Sequence, residues 1–129
     1  MHLKFVLLLL FSKTFAQYVH IPDFEFKKYL TSKSYSRWGD VYPSPFDTNG
    51  DFEIDFEEAK SIKNIDLFRY RDVKDLTGIE YFENLEQLRC YYNKISFLNL
   101  SGLKKLKYIN ASYNHNLLTR VDVTGCSAL

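Results

Sequence analysis

The chain has 129 residues, enough for about one domain, and carries 17 Lys and Arg against 16 Asp and Glu, a formal net charge of +1. That balance gives no electrostatic basis for binding nucleic acid, which needs a concentrated basic patch. Two cysteines, Cys90 and Cys126, are too few for a disulfide framework.

The first residues read as an export signal. His2 and Lys4 precede the apolar run Phe5 to Phe11, and Ser12 to Ala16 ends in a small residue. The expectation is a signal peptide over residues 1–16, cleaved after Ala16, and hence a secreted or extracellular-surface protein. The run is far shorter than the roughly 20 residues of a membrane span, and no later stretch is apolar enough for one. Cleavage removes Lys4 and Lys13 and brings the net charge to about −1. The only tight basic cluster, Lys104, Lys105 and Lys107, reads as a solvated turn.

Residues 17–61 read as an N-terminal cap. Within Pro22 to Leu30, Phe26, Tyr29 and Leu30 stand at i, i+3 and i+4, the spacing of a short amphipathic helix. Ser32 to Pro45 reads as an irregular connection, with Trp38, Tyr42 and Phe46 packing it against the cap.

Residues 47–58 follow the spacing of a twelve-residue calcium loop. Asp47, Asn49 and Asp51 take positions 1, 3 and 5, and Glu53 offers its backbone carbonyl at 7. Asp55 acts at 9, directly or through water, and Glu58 binds bidentately at 12. Hard oxygen ligands at this spacing suit Ca²⁺. Position 6, normally Gly, is Phe52, for which a left-handed backbone costs about 1–2 kcal/mol. The competing reading is a turn followed by a short helix through Glu58 and Ala59, capped by Asp55.

From residue 62 the chain repeats itself. Leu85-Glu-Gln-Leu-Arg-Cys-Tyr-Tyr-Asn-Lys-Ile95 fits the pattern L-x-x-L-x-L-x-x-N-x-L, with Cys90 in a Leu position. Ile62 to Leu67 and Leu106 to Asn114 match the same register, and Leu129 starts another copy, so the array reads as truncated in its last repeat. A second marker keeps step: Leu76-Thr-Gly-Ile79, Leu100-Ser-Gly-Leu103 and Val123-Thr-Gly-Cys126. Leu88 and Cys90, two apart, share one face of a short strand. Stacked copies would bury Leu85, Leu88, Leu106 and Ile109 in one column, with Cys90 inside as a small hydrophobe. Asn93 stands where the chain turns, placed to satisfy backbone groups that the strand leaves unpaired. Phe97 to Leu100 and Arg120 to Val123 read as short extended runs on the opposite side, and Gly78 to Asn84 as one helical turn.

With these motifs, residues 17–129 resemble the N-terminal part of secreted bacterial leucine-rich-repeat proteins of the internalin-like kind. Cys90 resembles a member of the cysteine-ladder subgroup, although Ala111 stands where that ladder would continue. The 47–58 segment resembles the single calcium loop of dockerin-like or EF-hand modules. The fold implied is a leucine-rich-repeat solenoid over residues 62–129, with repeats of 21–24 residues, parallel strands and few helices, behind a small helical cap. By the convention for such repeats it is an α/β fold.

The resemblance implies a non-enzymatic surface module that binds a protein or glycan partner on its concave face. The outward positions there would be Asp66, Phe68, Arg89, Tyr91, Asn110 and Ser112, a mixture of aromatic and polar groups suited to contact. Calcium-dependent assembly through the dockerin-like loop is the alternative. A secreted hydrolase fragment is a weaker one, because His20 and His115 lie in no motif and the loop carboxylates are better used on a cation.

Overall fold

Among the described residues the two α-helices lie between Phe24 and Ser61 and short strands recur after them, in a computed structural model that describes residues 17–35, 41–42, 44–68 and 72–129. The expected signal peptide over residues 1–16 and Trp38 lie outside the described residues.

Helix α1 (Phe24–Thr31) starts at Asp23, whose Oδ1 accepts the Phe26 N–H at 2.9 Å, and it buries Phe26 and Leu30 as the spacing predicts. The other carboxylate oxygen of Asp23 accepts the N–H groups of Lys74 and Asp75, at 2.9 and 3.1 Å, and so ties the cap to a segment far along the chain. The connection after α1 is more regular than expected: β1 (Ser34–Tyr35) and β2 (Val41–Tyr42) pair antiparallel. Strands of two residues leave no alternation for a sequence to display. Phe46 packs half-buried against Tyr29, ring centroids 5.4 Å apart.

Helix α2 (Phe56–Ser61) is capped reciprocally: Asp55 accepts the Glu58 N–H at 2.8 Å, and Glu58 accepts the Asp55 N–H at 3.1 Å. The N-terminal segment lies alongside. Tyr18 bridges Asp55, and Val19 donates to the Ile54 carbonyl at 2.8 Å. That segment also explains Gly78, at φ 106: a Cβ there would stand 2.8 Å from Ile21 Cγ1 and 2.9 Å from the His20 carbonyl oxygen.

Beyond α2 follow β3 (Asn64–Asp66), a 3-10 turn (Ile79–Tyr81), β4 (Gln87–Arg89), β5 (Phe97–Asn99), β6 (Tyr108–Asn110) and β7 (Arg120–Asp122). Strands β3, β4 and β6 form a parallel sheet in which Ile65, Leu88 and Ile109 are register partners. Strands β5 and β7 form a second parallel pair, with Leu98 opposite Val121. The fold is therefore mainly sheet, open rather than closed, with parallel strands and few helices.

One core runs from Val19, Phe26 and Ile54 in the cap through Leu85, Leu88, Cys90 and Leu106 to Cys126. It thins toward β6 and β7: Leu98 is 1% exposed, whereas its partner Val121 is 43% exposed. Ile109 joins the expected column but is only half-buried, since among the described residues nothing pairs with the outer edge of β6.

Candidate binding face and acidic loop

The six outward positions read from the sequence fall into three local contacts. Asp66 and Arg89 form an ion pair at 3.8 Å on neighbouring strands. Phe68 and Tyr91 stack at 4.8 Å and 19°. Asn110 Oδ1 accepts both the backbone N–H and the hydroxyl of Ser112, at 3.2 and 2.7 Å. The strand alternation also exposes Asn64, Gln87 and Tyr108, one position pair earlier, and Arg89 lies over the Tyr108 ring at 5.5 Å.

The main addition is a pair of tyrosines that sequence reasoning passed over. Tyr92 and Tyr113 stack almost face to face, at 4.8 Å and 6°, and Tyr92 also touches Phe68 and Tyr91 at 6.0 and 5.7 Å. Phe68, Tyr91, Tyr92 and Tyr113 thus form one chain of rings just past the C-terminal ends of β3, β4 and β6. Tyr92 and Tyr113 have φ of 58° and 53°, left-handed values that cost a non-glycine residue about 1–2 kcal/mol. The signal for them was the repeated Tyr-Asn pair, 92–93 and 113–114.

Those asparagines hold the turns. Asn93 is fully buried; its Oδ1 accepts the Val73 N–H, and its Nδ2 donates to the carbonyls of Leu67, Cys90 and Tyr91, all at 3.2 Å. Asn114 accepts from Ile95 and donates to Cys90, Ala111 and Ser112. Backbone groups that would otherwise be buried without partners are satisfied by one side chain at each turn.

In the acidic segment all five expected ligand side chains, Asp47, Asn49, Asp51, Asp55 and Glu58, accept backbone N–H groups. Asp47 is buried; its two oxygens accept from Gly50 and Phe52 at 2.8 and 3.1 Å. Asn49 accepts from Asp51, and Asp51 accepts from Glu53 and from the Tyr18 hydroxyl. Glu53 pairs instead with Lys27 at 2.6 Å. Buried Glu58 accepts at one oxygen from the N–H and hydroxyl of Thr48 and the N–H of Asn49, while its other oxygen joins the capping box. Phe52 already has φ 65°, the left-handed value that position 6 of a calcium loop requires. Its strain is therefore borne by the folded chain and would not be incurred anew if an ion bound.

The donor set is chemically that of a hard cation: carboxylates, a side-chain amide and the Glu53 carbonyl, with lone pairs left over on Asp47, Asn49 and Asp51. Among the described residues, no three His, Cys, Asp or Glu side chains are grouped as a metal site. Ligation by Glu58 would exchange bonds now made to Thr48 and Asn49.

Both cysteines are free and buried, and burial pushes the Cys90 thiol up to about 12, away from the thiolate a nucleophile needs. Among the described residues no helix is long and apolar enough to cross a membrane. Comparison with protein-family models, with curated proteins and with solved structures finds no match to this chain.

Proposed function

We propose that this chain is a secreted or cell-surface binding module of the leucine-rich-repeat solenoid class, which takes a protein or glycan partner on the face of its three-stranded sheet. In support of the solenoid, residues at matching positions of the repeated motif are register partners across parallel strands, and Asn93 and Asn114 each donate to the carbonyl three residues before them and to one in the preceding turn.

The observation that carries the binding role is the ring chain Phe68–Tyr91–Tyr92–Tyr113. Tyr113 is 68% exposed, so the core gains little from it, yet its backbone is held in a strained conformation. Strain retained at a surface aromatic is a mark of function, and Tyr is among the residues that dominate binding energy. The charges nearby, Asp66 and Arg89, neutralise each other, which favours an uncharged contact. No catalytic role is assigned, and the loop over residues 47–58 serves as a structural calcium site that braces the cap against β3.

Replacing both strained tyrosines, Tyr92→Gly and Tyr113→Gly, removes the rings and the strain together. Binding measured on a glycan array and on purified cell-surface proteins should fall at least about tenfold, with the melting temperature kept. Equal binding by the parent and the double variant would move the contact surface off this sheet.

A further inference from the structure

The cap carries a second surface made of other residues. Phe24 and Phe52 are 74% and 60% exposed, and both line one open groove of about 460 Å³ together with Lys27, Lys28, Thr31 and Ser32. Phe24, Lys27, Lys28 and Thr31 are spaced as one face of α1. Phe52 enters from the acidic loop, at a backbone conformation that favours glycine. The core uses neither ring, so folding alone gives no reason for two phenylalanines to face each other's groove.

The charges select the partner. Lys27 is neutralised by Glu53, and that ion pair also fixes the loop against α1. Lys28 makes no ion pair among the described residues, so it is the basic side chain of the groove that stands open to a carboxylate, beside an apolar wall. We propose that this groove docks a peptide segment of a partner protein bearing a large apolar side chain next to a carboxylate, the side chain lying against Phe24 and Phe52 and the carboxylate meeting Lys28. An anionic membrane surface fits less well, because such surfaces are held by clusters of about four to eight basic residues.

The test is a selection from a random peptide library on the mature chain, followed by fluorescence anisotropy with the enriched synthetic peptides. The expected peptides pair Phe, Leu or Ile with Asp or Glu. Their affinity should fall by about tenfold or more in Phe24→Ser, Phe52→Gly and Lys28→Glu, and should weaken as salt is raised. Phe52→Gly relieves strain and keeps the fold, so its loss of binding is not a folding defect. Tyr113→Gly should bind these peptides normally, which separates this groove from the sheet face. The proposal is overturned if no enriched peptide distinguishes the parent from Phe24→Ser, or if Lys28→Glu binds as well as the parent. It is also overturned if Phe24→Ser abolishes binding to phosphatidylserine vesicles while peptides are ignored, which would assign the groove to lipid.

Discussion

Asn93 and Asn114 both donate a side-chain N–H to the same carbonyl oxygen, that of Cys90, each at 3.2 Å. One acceptor shared by two buried amides links successive turns directly, without going through the apolar core. Removing either amide should therefore damage more than its own turn.

Asn93→Ala leaves the Val73 N–H without its acceptor and three carbonyls without that donor. An unsatisfied buried group costs about 1–3 kcal/mol, so a loss of about 2–4 kcal/mol is expected by equilibrium urea unfolding. Asn93→Asp should do no better, because it puts a carboxylate against three carbonyl oxygens. Wild-type stability in both variants would remove the asparagine from any structural role.

Leu88→Ala and Ile109→Ala should differ although the two residues are register partners. Leu88 is fully buried, and its truncation should cost about 2–5 kcal/mol. Ile109 lies half-buried on the edge strand, and its truncation should cost roughly half as much. Urea unfolding of both variants checks the order, and a larger loss at Ile109 would place a covering element over β6.

The difference between these two sites marks where the sequence stops being informative. Leu85, Leu88, Cys90 and Asn93 were legible because a strand alternates with period two and the turn asparagine recurs in step. How deeply each is buried depends on what covers its strand, which no local pattern encodes. Tyr92 and Tyr113 were missed for a related reason: the sign of φ belongs to the turn, not to the residue type. The groove lined by Phe24 and Phe52 joins a helix to a distant loop, and only the tertiary packing sets both rings along it.

Cys90 should resist alkylation in the native protein. Its folded pKa is raised to about 12 by burial, so the thiol stays protonated at pH 8 while an exposed cysteine, near 8.5, is partly thiolate. The same shift has a stability sign. The contribution is fully present below the unfolded value and is lost as pH rises toward about 12, since unfolding then releases a proton. Iodoacetamide labelling read by peptide mass spectrometry should show Cys90 modified only in urea. Labelling of the native protein at the rate of a free thiol would contradict the buried placement.

The acidic loop offers the sharpest comparison, because its metal-free hydrogen bonds and its calcium reading make different demands on the same residues. If Asp47, Asn49, Asp51, Asp55 and Glu58 bind Ca²⁺ with the Glu53 carbonyl, calcium at about 100 times its dissociation constant should add about 2.7 kcal/mol of stability. Glu58→Gln is a poor probe alone, since the new amide group would face N–H donors from Thr48, Asn49 or Asp55 and destabilise the loop without any metal. Asp51→Asn is cleaner: the side chain is exposed and still offers an oxygen to the Glu53 N–H. It should melt like the parent in EDTA but lose most of the calcium-induced rise. Phe52→Gly should raise stability by about 1 kcal/mol or less in every buffer, the relieved strain being partly offset by glycine's entropy, and should leave the calcium response unchanged. Thermal melts of the parent and both variants in calcium, magnesium and EDTA separate the readings. Identical parent melts in all three buffers would leave the loop as a self-satisfied turn that caps α2 and positions Phe52, with no role for an ion.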